Sequence, residues 1–513
     1  MNYKKVGNIL GKIMILEGIM LMIPLFVSFV YREDLIYKLS FAITIAVLLA
    51  GGFLLQIPKP SRNNLYQKEG FALTTLVWVV MAAFGALPFV INGDIPNYVD
   101  ALFEIMSGLT TTGSSILTDV SLLSHSSLFW RSFSHWIGGM GILVFVLIFI
   151  PESDDGSSMH LLRAESPGPQ VGKLVSKMKM TSGILYLIYL GMTILVAILL
   201  MFDKPIAGYE EDHFFISVLT ALGCAGTGGF GIIPGSLELY NPFSQYVVAI
   251  SLIFFGINFS LYYMILIGQI KSVLRSEELR TYLCLVAAAV CLVFFSLVSG
   301  FWEIPQTYTT EEAFRHSLFQ VATLVSTAGF STTDFNVWPM MAQMVLMVMM
   351  FTGGMAGSTA GGTKISRSVI VFKGAYINVR KLINPRYVPK AKLEGKTLDS
   401  QVINDVFAFF TLYFFIVIGV LLVLSFDPIN GTAVTIASDA GVYTVEHGFY
   451  SNFTAIIACL CNIGPGFEAV NAYSSFAGYS ILSKLVLTLS MLMGRLEILP
   501  VLILFSKRTW SKI

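Results

Sequence analysis

The sequence predicts an all-α polytopic membrane protein with four re-entrant pore segments arranged around one axis. Three observations carry this expectation. Of the 513 residues, 55% are hydrophobic and 12% charged, and the mean hydropathy is +0.75, a balance found in membrane chains rather than soluble ones. Apolar stretches of roughly 20 residues, enough to cross a bilayer, recur along the whole chain. Four shorter apolar stretches each end in a polar, glycine-bearing break: residues 110–114 after VDALFEIMSGL, 226–230 after HFFISVLTALGCA, 326–330 after EEAFRHSLFQVATLV and 461–465 after FYSNFTAIIACL.

Taken in order, spans are expected near 8–30, 36–57, 70–91, 126–150, 180–202, 243–270, 280–300, 338–374, 402–425 and 475–506, with half-length helices near 97–108, 212–224, 311–324 and 446–459. The first run is too long for a signal-peptide core and has no small-residue cleavage site, so it reads as a retained helix. The basic loops, Lys4 and Lys5, Lys59 to Lys68, Lys173 to Lys179, Lys271 to Arg280, Lys364 to Lys396 and Lys507 to Lys512, all fall on one side of these spans. The positive-inside rule makes that side cytoplasmic, places both termini there and turns the four breaks outward.

Aligned, the breaks share two columns. One is Thr111, Thr227, Thr327 and Asn462; the other, two residues later, is Gly113, Gly229, Gly329 and Gly464. Between them lie Thr112, Gly228, Ala328 and Ile463, and before them Thr110, Gly226, Ser326 and Cys461. Irregular backbone at membrane depth is tolerated only where it lines a cavity or is buried in protein. Carbonyls freed there replace the water around a dehydrated cation, and glycine lets the backbone approach closely. Only the glycine column is invariant, so one principal ion site is expected rather than a queue of equivalent ones.

Two features suggest a gate. GGMAGSTAGG (353–362) interrupts an apolar run with five glycines, each costing about 1 kcal/mol in a helix interior, so the chain should unwind there. Arg495 lies mid-span in the final apolar run, and Glu497 two residues on cannot share its helical face. An interior arginine costs about 2.5–3.5 kcal/mol even on insertion scales and so faces protein or a cavity. Glu17 is the other intramembrane charge and is expected in a structural pairing.

The half-helix starts are acidic, with Asp94 and Asp100, Glu210 to Asp212, Glu311 and Glu312, then Asp439 and Glu446. Carboxylates there complement the helix dipole, and together they would form a negative vestibule. Thr309 with Glu312 fits a capping box. Net charge is +1, which offers nothing to nucleic acid. The five cysteines and six histidines show no disulfide framework or metal-ligand spacing, and Arg131 and His135 read as packing residues. A nucleotide-binding loop is absent from the sequence.

On the four breaks, on WIGGMGI (136–142), on GGMAGSTAGGTK (353–364) and on GRLEILP (494–500), the chain resembles the Trk/Ktr/HKT superfamily of potassium transporters, most closely its bacterial TrkH branch. The resemblance implies four membrane–pore–membrane repeats in one chain around a central pore, plus two amino-terminal transmembrane helices. Boundaries follow as 1–69 for the two extra helices, 70–179, 180–275, 276–400 and 401–513 for the repeats. It also implies a potassium filter formed by residues 110–113, 226–229, 326–329 and 461–464. The implied gate comprises Gly353, Gly354, Gly357, Ser358, Thr359, Gly361, Gly362, Lys364 and Arg495. Glu468, just past the fourth break, departs from the small or apolar residue expected there and should alter the outer mouth.

The function so implied is potassium uptake across the cell (inner) membrane, with potassium as the transported ion and no organic cofactor. Implied partners are membrane lipid, a second copy of the chain and a cytoplasmic ring of nucleotide-binding regulatory subunits. Passive, gated conduction is favoured. A negative-inside potential of about 150 mV supplies roughly 3.5 kcal/mol per ion, some 300-fold accumulation, with no coupling ion. A symporter using protons or sodium is the alternative, disfavoured by the lack of a carboxylate or histidine relay in the spans. A membrane enzyme would need a clustered nucleophile or metal set.

Overall fold

Length and hydropathy set the long helices, and the computed structural model describes residues 2–58, 67–141, 178–299, 308–384 and 391–510. Six described helices are long and apolar enough to cross a membrane: Tyr3–Val30, Leu35–Gln56, Glu69–Asn92, Ser182–Met201, Glu277–Val298 and Ser400–Leu424. Outward faces of these helices stay apolar, as with Phe414 and Phe415 on the last, the pattern of chains whose outer surface meets lipid. The first two helices cross backbone to backbone at Gly11 and Gly52, where a Cβ on either glycine would come within 2.7 Å of the other's carbonyl oxygen. Small residues allow that approach between helices in lipid.

Four half-length helices, Tyr98–Leu109, His213–Gly226, Thr310–Val325 and Phe449–Leu460, run inward to the four breaks. Each is followed by an extended return and an outgoing helix: His125–Gly139, Pro242–Phe255, Met340–Thr352 and Ile481–Arg495. The third half-helix starts with the expected capping box, Thr309 and Glu312 each accepting from the other's backbone N–H.

Three expectations need correction. The spans expected over 243–270 and 475–506 are not continuous: the first bends by 91° between Phe255 and Phe259, and the second begins only at Ile481 and breaks after Arg495. The opening of 338–374 into a loop between Thr352 and Ile365 is the unwinding expected from the five glycines. Asp439 and Glu446 do not start the fourth half-helix. They belong to an antiparallel hairpin, Ala433–Ser438 with Gly441–Glu446, whose β-branched residues override a helical reading. A second hairpin pairs Lys392–Leu393 with Lys396–Thr397. Residues 142–150 of the fourth expected span, and the basic residues Lys59, Arg62, Lys173, Lys177, Arg386, Lys390 and Lys512, lie outside the described residues.

Tyr3 donates to the carbonyl of Trp510 at 2.8 Å, so the two ends of the described chain meet on one face. Among the described residues the core falls into two large clusters and a small third one. The first joins the amino-terminal helices to the first, third and fourth half-helices, the second is an aromatic-rich group around the second half-helix, and the third holds Ile370, Leu393 and Val406.

Candidate functional site: a ring of four helix ends

Each half-helix ends in the same way. Thr112 N–H donates to Ser107 O at 2.8 Å and Thr111 N–H to Gly108 O at 3.0 Å. Gly228 and Thr227 repeat this with Gly223 and Cys224, Ala328 and Thr327 with Thr323 and Leu324, and Ile463 and Asn462 with Ala458 and Cys459. These are four Schellman endings, in which a left-handed residue reverses the chain after the last helical turn. The left-handed residues are Thr111, Thr227, Thr327 and Asn462, with φ of 56°, 52°, 56° and 56°. Asparagine is at home there, but a β-branched threonine is an outlier. Such strain costs about 1–3 kcal/mol per residue and concentrates at functional sites.

The glycine column closes the ring. A Cβ on Gly113 would lie 2.1 Å from the Gly228 carbonyl oxygen, on Gly229 1.8 Å from that of Ala328, on Gly329 1.9 Å from that of Ile463, and on Gly464 2.7 Å from that of Thr112. Each glycine therefore abuts the residue preceding the next segment's glycine, and the fourth segment returns to the first. With φ between 73° and 105° at all four, no other residue meets both demands. The four segments thus surround one axis, with the carboxyl ends of four helix dipoles converging on it.

Cross-links brace the ring. Ser114 Oγ donates to Gly464 O at 2.8 Å, and Asn462 Nδ2 to Thr112 Oγ1 at 2.9 Å and Met491 O at 2.8 Å. Arg131 and Glu104 form a buried ion pair at 2.8 Å. Glu104 also accepts from Ile116 N–H, and Arg131 stacks 4.1 Å over Phe230 and donates to Gly231 O. That group ties the first segment's return to the second's. His135 shares a hydrogen bond with Gly108 O at 2.9 Å, and its ring lies 2.2 Å from where a Cβ on Gly228 would stand. Reading the sequence passed over Glu104; an acidic residue in the middle of an apolar half-helix was its signal.

The loop between Thr352 and Ile365 lies against the inner end of the ring. Gly361 N–H donates to Thr327 Oγ1 and Gly362 N–H to Cys461 O at 2.9 Å. Lys364 Nζ turns back to Ala360 O. The loop is also stitched to the break in the second outgoing helix: Met355 N–H donates to Gly256 O, Phe259 N–H to Gly357 O, and Thr359 Oγ1 to Phe255 O at 3.2 Å. Ser358 Oγ bonds within the loop to Met355 O. Gly353, Gly357 and Gly362 take left-handed φ of 64° to 75°, so this is unwound chain.

Arg495 spans what remains of the floor. Its guanidinium donates to Thr359 O of the loop at 2.9 Å, to Thr111 Oγ1 of the first segment at 3.2 Å, and to the carbonyls of Gly138 and Gly139 that end the first outgoing helix. Glu497, in the break that follows Arg495, pairs with Arg367 instead. The structure thus brings the expected ring and gate residues together in one assembly.

Other expected residues behave differently. Glu17 is fully buried, but the expected pairing is not seen: neither carboxyl oxygen has a hydrogen-bond partner among the described residues, and one lies 3.2 Å from where a Cβ on Gly85 would stand. Several of the expected acidic residues are engaged with protein groups: Asp100 with Lys484, Asp212 with His125 and Glu311 with Arg315 at half-helix starts, and Asp439, in the hairpin turn, with the backbone of Asp334. These contacts secure the segments to which the residues belong. Glu468 accepts from Ser451 Oγ, and its N–H donates to Asn336 Oδ1, which fixes it to those loops.

Residues 38–512 match the family model described as TrkH, cation transport protein. The Trk system potassium uptake protein TrkH of Salmonella typhimurium is 32% identical over 518 residues, covering 100% of both chains. The Trk system potassium uptake protein TrkG of Escherichia coli is 29% identical, covering 98% of each. Among solved structures, that of the potassium transporter TrkH from Vibrio parahaemolyticus superposes with a TM-score of 0.83 at 28% identity, covering 100% of both chains.

Proposed function

The chain belongs to the TrkH cation transport family, and from that premise we propose that it admits potassium passively through the four-segment ring, under the control of the 353–362 loop and Arg495. One observation carries the reading: four Schellman endings meet glycine to carbonyl in a closed cycle, and a glycine-rich loop is hydrogen-bonded to the inner end of that cycle. Carbonyls at the carboxyl ends of four helices favour a cation over an anion. The invariant column being glycine alone, the principal site lies at Gly113, Gly229, Gly329 and Gly464. With Gly362 N–H occupying Cys461 O, and Arg495 bridging Thr359 and Thr111, the described conformation is the closed one.

The names of the relatives speak of a Trk system, which supports operation with partner subunits. We read these as a second copy of the chain and a cytoplasmic nucleotide-binding ring that docks at the basic helix end carrying Arg380 and Lys381. The test is potassium flux into liposomes carrying the purified protein, with and without a co-purified regulatory subunit. Flux that follows the potassium gradient and rises with the subunit supports the proposal; flux needing a proton or sodium gradient contradicts it.

A further inference from the structure

The loop below the ring is held from a direction that the ring and Arg495 do not account for. Ala356 N–H, within the loop, donates to Glu278 Oε1 at 2.9 Å. Glu278 sits in the first turn of helix Glu277–Val298, whose first N–H groups have no partner within the helix. Ser276 caps Leu279 N–H, and Glu394 Oε1 accepts from both Ser276 Oγ and Glu278 N–H at 2.9 Å. Glu394 occupies the two-residue turn of the hairpin Lys392–Leu393 and Lys396–Thr397, with φ of 51° followed by Gly395 at 75°. Positive φ at both turn residues is the tight geometry matched to strand twist. The hydrogen bonds from Ser276 Oγ and Glu278 N–H then hold the Glu394 carboxylate at the helix start. Lys373 adds a second tie, to Glu277 and to Lys392 O.

We infer that Glu278 positions the loop in its closed place, and that the cytoplasmic hairpin sets Glu278 by capping its helix through Glu394. This rests on the loop being the gate. It extends that reading by giving the gate a handle on the cytoplasmic face: a subunit that displaces the hairpin loosens the helix start, and with it the acceptor of Ala356 N–H. Ring and loop then need not be touched directly for the path to open.

The experiment is a double-mutant cycle in liposome potassium flux and single-channel recording. Glu278→Ala removes the acceptor and should raise open probability on the order of tenfold, as expected for a hydrogen bond to a charged group. Unitary conductance and potassium-to-sodium ratio stay unchanged, since both are set at the ring. Glu278→Gln keeps an acceptor oxygen at the same reach and should restore most of the closed behaviour. Glu394→Ala should act in the same direction as Glu278→Ala but more weakly. In a protein whose loop has been shortened, Glu278→Ala should have no further effect, because coupling vanishes when one partner is gone. If Glu278→Ala does not reach the membrane folded, Glu278→Met, of similar length, takes its place. An unchanged open probability in a folded Glu278 variant, or an equal rise with the loop shortened, overturns the inference. Failure of the loop-shortened protein itself to gain flux would instead bring down the gate reading on which it rests.

Discussion

Replacing Arg495 by glutamine tests the gate most sharply. The guanidinium touches Thr111 of the ring at 3.2 Å and Thr359 of the loop at 2.9 Å. A potassium ion leaving the ring's inner end therefore passes within about 6 Å of a full positive charge, which at an effective dielectric near 20 repels it by about 3 kcal/mol. If all of that stands in the barrier, passage is slowed about a hundredfold. The same substitution removes charge-assisted hydrogen bonds to Thr359, Gly138 and Gly139, each worth about 1.5–3 kcal/mol. Glutamine can keep one such contact without the charge, so the loop loosens as the barrier falls. Stepped-voltage flux from proteoliposomes should show a gain between about tenfold and a hundredfold, a weaker voltage dependence, and an unchanged potassium-to-sodium ratio. A folded variant with unaltered flux would refute the reasoning, since the charge then does not face the ion. Failure to insert would assign Arg495 a structural role.

Three further outcomes are expected. Gly113→Ser places a Cβ at 2.1 Å from the Gly228 carbonyl oxygen, at a φ of 82°. One quarter of the ring must shift, so the potassium-to-sodium permeability ratio should fall; an unchanged ratio in folded protein would misplace the principal site. Shortening the 353–362 loop by several residues removes the donors to Thr327 and Cys461 and should raise flux through the isolated protein, whereas loss of flux with normal folding would make the loop a packing element. Glu104→Gln leaves the buried Arg131 without its counter-charge. Breaking such a pair costs about 3–5 kcal/mol, seen as a lower melting temperature in detergent, and a melting temperature equal to the parent's would show the pair is not needed.

The glycine column was legible because it is a backbone demand that few residues satisfy, repeated at the same place in four hydropathy units, and the column Thr111, Thr227, Thr327 and Asn462 because it recurs two residues before it. The capping box at Thr309 was legible because its two partners lie three residues apart. Arg131 and Glu104 stand 27 residues apart on different helices, and no local pattern announces their pairing. Breaks in the second and fourth outgoing helices were equally silent. One follows a single glycine, Gly256, and the other bends at Glu497 and Ile498, with φ of 57° and 68°, residues that ordinarily continue a helix. The hairpin at 433–446 carried its own alternation of β-branched residues, but Asp439 and Glu446 drew attention instead as helix-start carboxylates. Glu278 was hidden because its contact is to a backbone N–H inside the loop, a group present at every residue.

The central claim is that ions move down their own gradient through the ring, and the reversal potential measures this most directly. Recorded from purified protein in bilayers at several pH and sodium values, it should follow the potassium gradient alone, moving by about 59 mV per tenfold change in potassium, the value for one charge, and not at all with pH. A reversal potential that moves with the proton gradient at fixed potassium, or with sodium by more than the permeability ratio allows, would contradict the account and establish coupled transport.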